Sequence, residues 1–222
     1  MINLYSGTPG SGKSLHCAQK IINSLYQHKY VIANFDIKPT GARLKRLYDK
    51  YFIHLDNDEL EPGIIQMFSR NLSWCSGKRQ KEDSIILVID ECQLLFNNRE
   101  WAQHNRKEWI SFFTQHRKFG YEVILIAQFD EMLDKQLRHL IEYEYIHRKA
   151  SNFGWRGYVL MALLLSPHLF IWIQMWYPMK AQIESATFRY HKKVAQIYDS
   201  YQDFRPSEQL KTVTASTAGA DR

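Results

Sequence analysis

Only three cysteines, Cys17, Cys75 and Cys92, occur in this 222-residue sequence, scattered and without a CxxC spacing. That excludes a disulfide framework and a cysteine-built zinc site, and it fits a reducing compartment. The N-terminus lacks a basic segment followed by an apolar one, so no secretory signal is read there. No internal repeat is visible. Nor is there a Ser–His–Asp or metal-ligand constellation, because His116, His139 and His147 have no partnered spacing. What is present is the composition of a folded protein, 45% hydrophobic, 14% aromatic and 23% charged, and a length that suits one domain with additions. A formal net charge of +6 and a pI near 9.1 admit a nucleic-acid or anionic-lipid partner without demanding one.

The chain then alternates between two periodicities. Ile2–Ser6 reads as a short strand, Ser14–Tyr26 as a helix and Tyr30–Phe35 as a second strand. Residues 40–80 mix basic clusters with apolar groups that suggest helices around Leu44–Tyr48 and Ile64–Leu72. Ser84–Ile89 (SIILVI) and Tyr121–Ala127 (YEVILIA) are continuous apolar runs, the mark of parallel strands covered on both faces. Between them Lys107–Lys118 reads as a helix closed by Gly120; after them come a helix over Asp130–Leu140 and a strand over Ile141–Arg148. This order predicts an α/β protein with a mainly parallel sheet between two layers of helices, and a short C-terminal helix-strand extension. The expected organisation is a core over 1–150, an extension over 151–206 and an unpatterned polar tail over 207–222.

The chemistry starts behind the first strand. Gly7-Thr8-Pro9-Gly10-Ser11-Gly12-Lys13-Ser14 is a complete phosphate-binding loop, with a strand before it and a helix after it. Its glycines let backbone N–H groups converge on phosphate oxygens, and the helix N-terminus adds to that field. Lys13 brings a charge to the β- and γ-phosphates of ATP, and the Ser14 hydroxyl is placed to ligate Mg²⁺.

The run Ile85–Ile89 ends in Asp90-Glu91. A buried strand ending in Asp carries that carboxylate to the sheet edge where the phosphate loop opens. Asp90 is expected to hold Mg²⁺ through a water, opposite Ser14, and Glu91 to orient or deprotonate the attacking water. Gln128, at the end of the next strand, reads either as a sensor of the γ-phosphate or as a solvated strand end. For a cation on the developing charge, supplied from a neighbouring subunit, Arg117 is the first candidate and Arg138 the second; both also read as ordinary surface arginines.

With GTPGSGKS, IILVIDECQ, HRKFGYEVILIAQ and YHKKVAQIYDSY (190–201) together, the sequence from Met1 to about Pro206 resembles the zonular occludens toxin (Zot) family. That family is similar to the filamentous-phage gene I assembly ATPases, within the FtsK/HerA-like group. The resemblance implies a membrane-associated motor at the cytoplasmic face of the host inner membrane. Such a motor uses ATP and Mg²⁺ to extrude single-stranded phage DNA as virions assemble, as a ring of copies with phage or host inner-membrane partners. It implies the same residues: Lys13 and Ser14 in the loop, Asp90 and Glu91 as the acidic pair. Family members with a secreted toxin fragment continue into a membrane anchor, and the residues after Pro206 contain no apolar run.

Two features stay open at this level. Tyr158–Tyr177 is about 20 apolar residues, enough as one helix for a bilayer core, yet Ser166-Pro167-His168 interrupts it. It reads either as a helix over 154–165 followed by a strand over 169–177, both packed on the core, or as a membrane contact. The basic clusters Arg43-Lys45-Arg46 and Lys78-Arg79-Lys81 read as a DNA path or as solvated faces. The rival functions are a small-molecule kinase, against which Glu91 beside Asp90 speaks, and a nucleotide-binding adaptor that does not hydrolyse.

Overall fold

A computed structural model describes residues 1–78, 80–96, 106–163 and 168–198. Arg79 of the second basic cluster, Ser166-Pro167, the end of the extension from 199 and the tail over 207–222 lie outside the described residues.

Eight strands form one sheet: β1 (Ile2–Ser6), β2 (Tyr30–Ala33), β3 (Phe52–His54), β4 (Ile85–Ile89), β5 (Tyr121–Ile126), β6 (Tyr143–Lys149), β7 (Leu169–Trp176) and β8 (Ala181–Arg189). Their order is β3-β2-β4-β5-β1-β6-β7-β8. The first six run parallel, and β7 and β8 continue the sheet antiparallel. The helices are α1 (Lys13–Tyr26), α2 (Ala42–Tyr51), α3 (Pro62–Ser76), α4 (Arg106–Gln115), α5 (Lys135–Arg138), α6 (Trp155–Leu163) and α7 (Lys192–Ala195).

The continuous apolar runs have a simple cause. Alternate side chains of a strand face opposite sides of the sheet. Ile85, Leu87 and Ile89 join Val123 and Leu125 in the core that also takes Ile65, Phe112, Phe113 and Leu137. Ile86 and Val88 join Ile124 and Ile126 against Cys17, Ala18, Ile21 and Leu25 of α1. Both faces are covered, so every residue of β4 and β5 is buried.

Several elements differ from the sequence reading. β2 stops at Ala33 rather than Phe35, because the Asn34 side chain turns to hydrogen-bond the backbone of Asp90. The single helix expected over 130–140 is a 3-10 turn, Asp130–Met132, and then α5. Asp134 causes the break: its carboxylate caps α5 by accepting from the Gln136 N–H. The helix expected over 107–118 likewise ends at Gln115 and tightens into a 3-10 turn before Gly120. β3 and β8 were not anticipated. Both are outer strands; β3 has three residues, and β8 is largely exposed, so neither carries a clear apolar pattern.

The 158–177 stretch falls into the end of α6 and, after residues outside the description, β7. β7 pairs along its length with β6, from Tyr143↔Trp176 to Lys149↔Phe170. Among the described residues no helix is long and apolar enough to cross a membrane.

Candidate functional site

β5 lies between β1 and β4. That insertion brings three strand ends side by side at the carboxyl edge: the loop after β1, Asp90 after β4 and Gln128 after β5. They line one cavity of about 440 Å³, walled by Pro9–Leu15, Asp90, Glu91 and Gln128, with Phe170 of β7 and the C-terminal residues Tyr190, Ala195 and Tyr198. Of the loop's outer residues, Thr8 is exposed and lines a neighbouring cavity with Gly7.

The loop's shape is enforced by its glycines and by what surrounds them. Gly7, Gly10 and Gly12 all have positive φ, at 139°, 73° and 97°. A Cβ on Gly7 would sit 2.5 Å from the His147 carbonyl oxygen, and one on Gly12 would sit 2.8 Å from the Phe170 ring. Gly7 also donates its N–H to the Gln128 carbonyl at 3.1 Å, so loop and β5 are tied. Gly7→Ala therefore meets both strain and a backbone clash, and is expected to cost about 3 kcal/mol. A thermal melt checks this, with a drop of roughly 6–12 °C expected for a chain of this size.

Within the loop the Lys13 ammonium donates to the carbonyls of Gly7 at 2.5 Å and Thr8 at 3.3 Å. Burial lowers its pKa, and the nearby charges of Glu91 and Asp90 oppose that. Ser11 Oγ is buried with no hydrogen-bond partner. A buried hydroxyl without a partner, beside a buried ammonium at the start of α1, fits a polyphosphate. Ser14 and Asp90 supply hard oxygen donors at the same cavity, as Mg²⁺ prefers, and Mg²⁺ takes its other ligands from water and phosphate.

Asp90 is 8% exposed. Its Oδ1 accepts from the Glu91 N–H at 2.8 Å, and its Oδ2 accepts from the Tyr198 hydroxyl. Asn34 holds its backbone from both sides, accepting from the Asp90 N–H at 2.7 Å and donating to its carbonyl at 2.9 Å. Burial pushes the Asp90 carboxyl up to about 7, opposed by the Glu91 N–H bond. Glu91 itself occupies the left-handed region, φ 45° and ψ 43°, and its carboxylate accepts from Gln93 Nε2. A non-glycine residue held there is strained, and such strain gathers at functional positions.

Beneath the loop lies a pair of histidines. His16 Nδ1 and His147 Nε2 are 2.8 Å apart, and the His16 ring stacks between Tyr5 at 4.8 Å and Trp172 at 5.8 Å. Burial lowers the pKa to about 4 for His16 and about 3 for His147. In the unfolded chain both rings take protons near 6.5. The unfolded state thus binds more protons below that pH, so stability falls as pH drops from about 6.5 towards 4. The loss is expected to reach about 2 kcal/mol per ring at pH 5. Urea melts at pH 7 and pH 5 read it; equal stabilities at the two would mean the rings are not buried neutral.

Arg117 is elsewhere. It sits on the 3-10 turn before β5, at the amino edge of the sheet, ion-paired with Glu142, and is 53% exposed. Any contribution it makes to phosphate chemistry is to another copy's site. Arg138, on α5, does not line the cavity; its charge acts on Asp130 and Tyr177. Lys81 belongs to the same amino edge, against Gly120. Sequence reasoning assigned no role to Asn34, Gln93, Phe170 or Tyr198. Only Tyr198 had a signal, its place in the YHKKVAQIYDSY block.

The sequence model of the zonular occludens toxin (Zot) family matches residues 1–204. The chain belongs to the Zot family. Among curated relatives, the gene 1 protein of Enterobacteria phage I2-2 is 27% identical over 156 residues, 66% of this chain and 39% of that protein. The gene 1 protein of Enterobacteria phage M13 is 26% identical over 152 residues, 64% of this chain and 40% of that protein. The match thus spans about two fifths of the length of these relatives. Among solved structures, the N-terminal domain of zonular occludens toxin from Neisseria meningitidis superposes with a TM-score of 0.53 at 20% identity, over 89% of this chain and 98% of that one. B204, the DNA-packaging ATPase from Sulfolobus Turreted Icosahedral Virus, gives 0.51 at 16% identity, over 86% and 98%. At these identities the structures establish the fold: this Zot-family chain has the α/β fold of the P-loop ATPases.

Proposed function

We propose that this Zot-family chain is a Mg²⁺-dependent ATP-hydrolysing motor for filamentous-phage assembly, driving single-stranded DNA through the inner membrane. The observation that carries the reading is the convergence of Lys13, Ser14, Asp90, Glu91 and Gln128 on one cavity. Family membership and the match to phage gene 1 proteins support the assembly role.

In this reading the N–H groups of Gly10 and Gly12–Ser14 and the Lys13 ammonium bind the β- and γ-phosphates of ATP. Lys13 turns from the Gly7 and Thr8 carbonyls to phosphate oxygens. The Ser14 hydroxyl and, through a water, the Asp90 carboxylate would hold Mg²⁺, which would supply neutralising charge on the phosphates. The Glu91 carboxylate accepts a proton from the attacking water, and Gln128 orients that water from the β5 side. The strained backbone of Glu91 supports this role, since such strain gathers at functional positions and the residue lines the cavity.

A ring of copies with sites at their boundaries, acting at the cytoplasmic face of the host inner membrane, completes the proposal. Arg117 and then Arg138 are the candidates for a cation given in trans. An apolar row on α6 supports contact with lipid or an inner-membrane partner: Trp155, Val159 and Leu163 are 72%, 56% and 78% exposed, at i, i+4 and i+8. The exposed Arg43, Lys45 and Arg46 on α2 suit a DNA path.

The test is phosphate release from the purified chain with Mg-ATP, with and without single-stranded DNA. Turnover without an added acceptor, accelerated by DNA, is expected. Phosphate transfer only to an added hydroxyl compound would identify a kinase instead, and tight binding without release would identify an adaptor.

A further inference from the structure

Tyr198 reaches the site from 108 residues beyond Asp90. After β8 the chain runs over α7, which packs on α1, and brings Ala195 and Tyr198 to the wall of the cavity. Its path there is fixed. The Lys38 N–H donates to the Ile197 carbonyl at 2.8 Å, and Ile37 bridges Tyr198 as an antiparallel pair. The Tyr198 ring meets Phe35 edge-on, centroids 4.6 Å apart, and Ile197 and Tyr198 are buried in the same core as α1 and β2. The segment is therefore part of the core rather than a removable cover.

What this achieves is local to one carboxylate. Asp90 Oδ1 accepts from the Glu91 N–H and Oδ2 from the Tyr198 hydroxyl. An ionised carboxylate has about four lone-pair positions, so these two donors leave others open towards the cavity. Two donors on two different oxygens also fix the plane of the group. In a place so shielded from water, losing one donor leaves an oxygen without a partner and frees the group to turn.

We propose that Tyr198 is a positioning residue that orients the Asp90 carboxylate for the Mg²⁺ of the bound nucleotide. The inference rests on the metal role given to Asp90 under the proposed function. The opposite arrangement, a hydroxyl that blocks the metal's water shell, predicts the opposite sign in the same experiment.

Tyr198→Phe removes the hydroxyl and keeps the ring, so the packing on Phe35 survives. The experiment titrates Mg²⁺ at a fixed concentration of a fluorescent ATP analogue and measures binding. A parallel titration in chelator gives the metal-free affinity, and a thermal melt reports folding. The Mg²⁺ concentration for half-maximal binding is expected to rise about fivefold or more, with metal-free affinity within about twofold of wild type. In an Asp90→Asn background the same substitution is expected to add nothing, since the carboxylate it acts through is gone. An unchanged or lowered Mg²⁺ requirement overturns the inference, as does an equal loss of metal-free affinity, which marks a merely structural role. A wild type whose nucleotide binding gains nothing from Mg²⁺ removes the metal role of Asp90 and this inference together. A wild type that does gain, matched by Tyr198→Phe, removes this inference alone.

Discussion

Lys13→Ala is expected to weaken ATP binding on the order of 100-fold, the loss of about 3 kcal/mol of charge-assisted hydrogen bonding. Lys13 is a buried charge, and its ammonium donates to the loop carbonyls of Gly7 and Thr8. The loop here is not sealed from water, because Gly7 is partly exposed and Thr8 is exposed. The fold is thus expected to survive, and a circular-dichroism melt within about 3 °C of wild type would confirm that. Equilibrium binding of a fluorescent ATP analogue gives the affinity. An unaltered Kd would mean the phosphates do not sit at this loop, and every other assignment in the cavity would fall with it.

Glu91→Gln is expected to separate binding from turnover: affinity for Mg-ATP within about threefold, phosphate release down by about 10²–10⁴. The amide keeps the shape of the carboxylate and cannot take a proton from water. Gln93, whose amide donates to Glu91, still finds an acceptor in the amide oxygen, so the local arrangement holds. Single-turnover phosphate release on pre-bound ATP measures the chemical step directly. Wild-type release from this variant would show that Glu91 is not the base, and its strained backbone would then serve the turn after β4 alone.

Much of this site was legible because it is local. The strand, eight-residue loop and helix from Ile2 to Tyr26 are contiguous, and the conformation of the loop follows from glycines at positive φ. Asp90 and Gln128 were legible for a related reason. Each ends an apolar run, and parallel strands all discharge their C-terminal residues at one edge. Asp134 shows where local reading stops: the apolar spacing over 130–140 suits a helix, and one carboxylate caps it midway. The outer strands β3 and β8 were not legible, since a short or exposed strand takes its conformation from its neighbour's hydrogen bonds.

Arg117 marks a different limit. Its sequence position before β5 gave the end of the strand it occupies, but not the partner that holds it there. It precedes β5, and in a parallel sheet that places it at the amino edge, held by Glu142.

The fold class, the glycine-rich loop after β1 and the acidic pair after β4 follow from the amino-acid sequence, because each is written in a short string of residues. What surrounds them follows from how the chain is folded in space. The insertion of β5 between β1 and β4, the Asn34 clasp on Asp90, the His16–His147 pair and the Tyr198 hydroxyl all join residues far apart in the chain. Such contacts depend on the order of strands in the sheet, and no local pattern encodes that order.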